Sequence, residues 1–393
     1  MYRFFMSLLF ISLPFPSTVI TNIILVVVGL LVIYFNVNQG LQRITKNQKI
    51  IFIGLFLLVL SVMIPSFFYE KDYLNNNITR PLYFLIIPLL FFMGEGLNLK
   101  NIKAIKKLFV IAVIIFSFIG FLKMLYLYYM QVENKLFFDA FARTLKIHTT
   151  SFAYLTVLAF AFSFNGIFDK SNNSKYTLYY AGQSLYLIVL LFLISTRIAF
   201  IAIAALIVVI LINQFRQGSY RRGILYASLI SLLILFLSYN GYLSERVENV
   251  YNVNIENKSD LENRFVIWNC ATQVFEENDF KIFGLGLENS NDLLRDCYYQ
   301  KNFFGKDLGY HAHNQYLQTL IAGGIIGFLV LMFLMIYAFI QAIKHRNLAL
   351  LAFILVFSIF FITESVFEQQ IGVTTFSLFL GLFFCHKKIN HQS

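Results

Sequence analysis

Charge is what this chain has least of. Only 13% of its 393 residues are Asp, Glu, Lys or Arg, while 59% are hydrophobic and 18% aromatic. A soluble domain carries roughly a quarter charged residues, so an ordinary aqueous protein is excluded and a bilayer is the solvent that fits. Cysteine is nearly absent too: Cys270, Cys297 and Cys385 are the three present, with no CxxC or Cys/His metal spacing among them. No Walker loop, Rossmann glycine pattern, HExxH or paired outer-loop aspartates occur, which argues against chemistry fuelled by a cytoplasmic nucleotide. Internal repeats and low-complexity tracts are lacking. The net charge of +11 is spread in short clusters between apolar runs instead of a patch with interleaved aromatics, so nucleic acid is excluded as a partner.

Long apolar runs are there in quantity. A bilayer core of about 30 Å takes about 20 apolar residues in helical form, with every backbone group paired internally. Candidate spans by this measure, some of them shorter, cover 4–17, 18–36, 50–69, 81–97, 107–130, 148–168, 177–195, 198–213, 223–240, 314–343, 348–364 and 370–386. The expectation is an all-α integral membrane protein of about twelve transmembrane helices. Pro14 and Pro16 leave a second reading for the first pair, one long kinked or re-entrant segment. Met1–Phe15 has only Arg3 as a basic region and no small-residue cleavage site, so it reads as a retained span.

Basic residues gather between alternate spans: Arg3; Arg43, Lys46 and Lys49; Lys100, Lys103, Lys106 and Lys107; Lys170 and Lys175; Arg216, Arg221 and Arg222; Lys344 and Arg346; Lys387 and Lys388. The loops of that side hold only Asp169 as an acid. Cytoplasmic connections carry such an excess, so both termini are expected in the cytoplasm. The segment 241–313 has the opposite character, 12 acidic against 7 basic residues, and is expected outside. Three parts follow: a bundle of about nine spans over 1–240, a soluble loop over 241–313 containing short helices, and about three spans with a tail over 314–393.

The loop is too long and too apolar for a linker. Glu262–Glu277 reads as an amphipathic helix with Phe265, Trp268 and Val274 on or near one face. A glycine-rich turn, "KIFGLGLENSND", follows. Cys270 and Cys297 both lie here, and a disulfide or two free thiols fit the sequence equally.

Five features near the outer interface can carry chemistry, each with a plainer alternative. Arg197, between spans seven and eight with almost no loop around it, is a ligand residue or the cap of a tight hairpin. Arg264 offers a planar five-donor fork suited to phosphate, or pairs with Glu262 or Asp260. His311 and His313 precede Asn314, Gln315 and Tyr316; a histidine there serves as a base for a hydroxyl, or touches headgroups. Arg143, Lys146 and His148, with Lys123 and Arg80, draw an anionic substrate toward an acidic face, or anchor helices at the interface. Glu364 and Glu368, in "TESVFEQQIG", orient an arginine or act as a base, or merely solvate helix ends.

Taken in order, "STRIAFIAIAAL", "NRFVIWNCATQVFEENDFKIFGLGLEN", "HNQYLQTLIAGGIIGFLVLM" and "TESVFEQQIGV" resemble the O-antigen ligase and polymerase superfamily of bacterial envelope glycosyltransferases. The resemblance covers residues 195–380; the first half of the chain matches only in hydropathy. It implies a GT-C-like fold in the bacterial inner membrane, part of lipopolysaccharide biosynthesis, with the active site in the periplasm. The implied reaction is metal-independent and cofactor-free. It moves a glycan from undecaprenyl pyrophosphate to an acceptor hydroxyl, with lipid A core as the acceptor for a ligase. A repeat-unit polymerase is the alternative, and a lipid-linked sugar transporter or flippase a more distant one. The family's essential arginines map onto Arg197 and Arg264 and its histidine onto His313. Arg143, Lys146, Lys123, Arg80, His311, Asn314, Trp268 and Glu364 are the expected substrate-binding residues. The sequence departs at Gln369 or Gln370, where many relatives carry Arg, leaving Lys123, Arg143 or Lys146 to compensate.

Overall fold

The computed structural model describes residues 1–15, 17–40, 44–69, 79–130, 141, 144–168, 173–194, 196–216, 260–277, 279, 281–303 and 305–385. The expected span 223–240, the first part of the loop, and Arg43, Arg143, Asp169, Lys170, Arg221, Arg222, Lys387 and Lys388 lie outside the described residues. Thirteen α-helices are described: α1 Tyr2–Ser12, α2 Thr18–Gln39, α3 Lys46–Tyr69, α4 Thr79–Met93, α5 Leu99–Tyr129, α6 Thr149–Ile167, α7 Ser174–Ile194, α8 Arg197–Arg216, α9 Asp260–Glu277, α10 Leu287–Gln300, α11 Gln315–Lys344, α12 Leu348–Thr363 and α13 Gln370–Phe384. Seven of them are long and apolar enough to cross a membrane by length and composition. Four more, α1, α4, α12 and α13, are apolar but shorter. Among the described residues the protein is all-helical, with the apolar helices of a multi-pass membrane protein.

Side-chain size sorts the helices between core and periphery. α6, "TTSFAYLTVLAFAFSFNGI", alternates aromatics with Ala, Ser, Thr and Gly, and small residues let neighbouring backbones approach when no hydrophobic effect drives helices together in lipid. It is buried on all sides, 89% of its most apolar window, whereas the aliphatic α2 is 22% buried and presents Ile23, Val26, Leu30 and Ile33 outward. α13 is buried along its whole length from Gly372. Phenylalanine fills the space between α6, α12 and α13: Phe353 lies within 6 Å of Phe357, Phe376, Phe379 and Phe383 by ring centroids, in tilted arrangements that suit the ring quadrupole.

The helix ends fall into two sets. Lys103, Lys106 and Lys107 of α5 share a cavity with Asn165 and Gly166, with Gln183, with Asn213 and Gln214, and with Leu348. That end also holds the α3 start, where the Gln48 amide donates to the Phe384 carbonyl at 3.0 Å, and Arg3, paired with Glu95. Glu95 lies past the end of α4 instead of inside the expected span 81–97, so this end carries an acid expected from the sequence to lie in the membrane. At the opposite end α3 closes, α6, α8 and α13 open, and the loop helices gather.

Those loop helices form a small core of their own. Ile267, Cys270, Ala271 and Val274 of α9 pack on Leu294, Cys297 and Tyr298 of α10 and on Ile321. Cys270 and Cys297 form a disulfide with their Cα atoms 5.8 Å apart. The expected apolar face of α9 needs correction: Val274 is on it, but Phe265 is 65% exposed and only meets Trp268 edge-on. Ile267, Cys270 and Ala271 supply the buried stripe instead, because α10 approaches from the disulfide side.

α11 is broken near its outer end. Gly324 has φ 64° and ψ −168°, which leaves carbonyls of the first half and N–H groups of the second without helical partners. Such groups at membrane depth cost several kcal/mol each if unpaired. The glycine-rich turn after α9 threads the break and pairs them. Leu285 and Gly286 donate to the carbonyls of Ile321 and Ala322 at 3.0 and 2.9 Å, and Ile325 and Ile326 donate to the carbonyls of Lys281 and Ile282 at 2.9 and 3.2 Å. Glycine is required on both strands of this crossing. A Cβ on Gly324 would lie 2.3 Å from the Ile282 oxygen, and one on Gly284 would lie 2.3 Å from the Gly324 nitrogen. The loop is thereby pinned to the bundle within α11, the helix that follows His311 and His313.

Candidate active site

The turn between α12 and α13 supplies two carboxylates, and each gathers one arginine and one histidine. Glu364 ends α12 in extended backbone. The Arg264 guanidinium donates to its Oε1 at 3.2 Å and to the Thr363 carbonyl at 2.7 Å. His313 Nδ1 stands 3.3 Å from its Oε2. Arg264 thus meets an acid a hundred residues away; the side chains of its expected local partners, Glu262 and Asp260, lie outside the described residues. Burial pushes the Glu364 carboxyl up, but the His313 hydrogen bond, with the charges of His313, Arg264 and His148, outweighs it and holds the group below its ordinary value.

His313 is held from three sides. Its φ of 43° is in the left-handed region, which a non-glycine residue occupies at a cost of roughly 1–3 kcal/mol. Its carbonyl accepts the Trp268 indole N–H at 3.5 Å, and Tyr310 packs edge-on against its ring at 5.2 Å. The next residue, Asn314, caps α11 by accepting from the N–H groups of Tyr316 and Leu317 at 2.9 and 3.1 Å, so its carbonyl oxygen is spent on the helix.

Glu368 forms the second group. Arg80 Nη1 donates to its Oε2 at 2.8 Å and to its backbone carbonyl at 2.6 Å. His311 Nδ1 lies 3.9 Å from the same carboxylate and 3.3 Å from Asn291 Oδ1. Burial lowers the His311 pKa; Glu368 opposes this, while Arg80 and His313 reinforce it. Gln318, one turn into α11, fixes the segment by accepting the Ala312 N–H at 2.9 Å and donating to Asn291 at 3.0 Å. Asn291 and Gln318 escape sequence reading because each is an ordinary amide in its own segment; a polar side chain in the first turn of an otherwise apolar span was the one available signal.

The remaining expected residues sit around this pair of clusters. Arg197 opens α8 and is exposed. α8 ends beside Lys103, and its 20 residues, about 30 Å at 1.5 Å per residue, put Arg197 at the Glu364 end. No ion pair ties it to a described residue. Lys146 and His148 are exposed on the turn into α6 and line a 210 Å³ cavity with Phe15, Thr21 and Gln370. Lys123 donates to the Thr144 carbonyl at 3.3 Å. Arg143 is outside the described residues. Gln369 accepts from Ser151, and Gln370 donates to Tyr83 at 2.9 Å, so both amides bind neighbouring helices.

Arg264, His313, Arg80 and His311 thus converge, through Glu364 and Glu368, on one end of the bundle. Such an arrangement can hold an anion against fixed guanidinium groups and take up a proton at an imidazole a short distance away. No curated protein matches the chain. Residues 183–332, less than half of it, match the family model described as O-antigen ligase. The matched stretch contains Arg197, Arg264, His311, His313, the threaded glycine turn and the break in α11, and stops short of Glu364. Over these residues the chain is similar to the O-antigen ligase family.

Proposed function

We propose that the chain transfers a glycan from a polyprenyl diphosphate to an acceptor hydroxyl at the outer face of a bacterial inner membrane, with the charge on the leaving group met by arginine instead of a metal. The observation that carries this reading is Glu364, which Arg264 and His313 share. With the carboxylate accepting at Nδ1, a neutral His313 ring keeps its proton there and leaves Nε2 free as a base. The acceptor hydroxyl gives its proton to Nε2, its oxygen bonds to the anomeric carbon, and the bond from that carbon to the diphosphate oxygen breaks. The electron pair goes to the lipid diphosphate. Arg264 spends one Nη on a carbonyl and the other on Glu364, and its remaining N–H donors, with exposed Arg197, are available to the departing oxygens. Fixed donors in a partly dry site stabilise such developing charge by several kcal/mol.

The basic rim of Lys123, Lys146, His148 and Arg80 is read as the approach for the anionic donor, and Trp268 as a platform for a sugar ring. The disulfide supports an oxidising, non-cytoplasmic compartment for this end, and the lysine-rich opposite end supports its facing the cytoplasm. We read the acceptor as lipid A core, making the chain a ligase. Arg197→Ala, Arg264→Ala and His313→Ala should each abolish transfer while leaving membrane insertion intact; full activity of the triple variant would eliminate the mechanism. A lipopolysaccharide ladder of the knockout separates the two related enzymes. Loss of a ligase leaves bare core, and loss of a polymerase leaves core plus one repeat.

A further inference from the structure

A cavity of about 390 Å³ opens at the lysine-rich end, across the bundle from Glu364. Its volume is within the range of small-molecule sites, about 300–1,000 Å³. Lys103, Lys106 and Lys107 supply its charge, and no Asp or Glu is among the described residues that line it. Lys107 holds its ammonium 5.4 Å above the Tyr179 ring.

The amides in the wall are spent unequally. Gln183 is satisfied within the protein, accepting from Ser163 at 3.3 Å and donating to the Tyr179 hydroxyl at 2.8 Å. Asn213 Nδ2 and Gln214 Oε1 are buried and meet no partner among the described residues, and Gln214 is only 3% exposed. An unmade buried hydrogen bond costs about 1–3 kcal/mol. An unmet donor beside an unmet acceptor, in a cavity charged by ammonium groups, fits a ligand that brings a phosphate and a hydroxyl together. The phosphate takes the Asn213 N–H and the ammonium charge; the hydroxyl donates to Gln214.

We propose that this cavity binds the hydroxyl-bearing headgroup of an anionic phospholipid from the leaflet at the lysine-rich end. The lipid source follows from the rest of the wall. Val110, Phe162 and Leu348 face the headgroup with hydrocarbon, and α5, which supplies the lysines, presents Phe118 and Leu125 outward three and five turns beyond Lys107 on the same helix face. A bound headgroup therefore has an apolar helix face along which its acyl chains can run.

The full-length protein, purified in detergent and stripped of lipid, is supplied with phosphatidylglycerol, phosphatidylcholine or glycerol 3-phosphate, and retention is read by native mass spectrometry. Phosphatidylglycerol is expected to be retained at least about tenfold better than phosphatidylcholine, a difference of about 1.4 kcal/mol. Gln214→Leu should reduce its retention about tenfold. Lys107→Gln, at an exposed position that tolerates replacement, should reduce it in the same direction. Lys49→Gln, an exposed lysine at the same end but outside the cavity, should leave it unchanged. Equal loss in Lys49→Gln would mean diffuse charge attraction and overturn the site. Competition by glycerol 3-phosphate at equal concentration would overturn the lipid source, and retention unaltered in Gln214→Leu and Lys107→Gln would overturn the proposal altogether.

Discussion

Glu364→Gln tests the site at its centre. The substitution keeps the volume of the side chain and exchanges one carboxylate oxygen for an amide NH₂, and whichever way the amide turns, one of two contacts is reversed. With NH₂ toward Arg264, two donors face each other across the present 3.2 Å contact. With NH₂ toward His313, at the present 3.3 Å, Nδ1 must accept and the ring proton moves to Nε2, the tautomer that cannot take a proton from a hydroxyl. An inverted tautomer in a comparable carboxylate–histidine pair costs about 10⁴ in kcat, or about 5.5 kcal/mol in the barrier. The loss of a charge-assisted hydrogen bond to Arg264 costs about 1.5–3 kcal/mol. The expected fall in kcat is therefore about 10³–10⁴, with KM for the acceptor altered less, because both contacts of Glu364 shown here are to Arg264 and His313, which it positions. Glu364→Asp retains the charge and should keep part of the rate. The assay is glycan transfer from a defined lipid-linked donor in vesicles, with acceptor saturation curves across pH. A Glu364→Gln protein that turns over at the parent rate with the parent pH profile would refute the positioning role and, with it, the assignment of His313 as base.

Three further outcomes are expected. Gly324→Ala forces a Cβ to within 2.3 Å of the Ile282 oxygen in a backbone conformation reserved for glycine; it should cost more than about 2 kcal/mol, read as a lower thermal unfolding midpoint in detergent and faster proteolysis of the loop. Cys270→Ser with Cys297→Ser opens a loop with a sequence separation of 27, and chain entropy puts the cost at about 3.5 kcal/mol; unfolding of the loop followed by hydrogen exchange checks it, and reductant should reproduce it in the parent. Acid should loosen the site for two reasons of the same sign. Glu364 has a depressed folded pKa, so its contribution is complete above the ordinary value of 4.5 and is lost as pH falls through the lower folded value. His311, also lowered, favours its neutral form in the fold, so stability is lost as pH falls below 6.5 toward its folded value. Thermal unfolding between pH 7 and 4 should show a falling midpoint, and a midpoint that rises over this range would contradict both.

What the sequence determined was the solvent and the helices. Apolar runs of bilayer length can satisfy their backbone in lipid only as helices, so α2, α3, α6, α7 and α11 fall close to the expected runs 18–36, 50–69, 148–168, 177–195 and 314–343. The order of Arg197, Arg264 and His313 along the chain was likewise readable, since the motifs that hold them are local. Tertiary structure alone decided the partners. Arg264 meets an acid at position 364, a hundred residues on, and Arg80 reaches Glu368 across 288 residues, because which carboxylate meets which guanidinium depends on how helix ends assemble, not on sequence distance. The orphan backbone of α11 was equally invisible. "AGGIIG" reads as an unbroken apolar span, and only the arrival of a second glycine turn, close enough to exclude any Cβ, turns it into two half-helices that pin the loop over the bundle. The buried face of α9 followed the disulfide and α10, elements whose positions no local periodicity encodes.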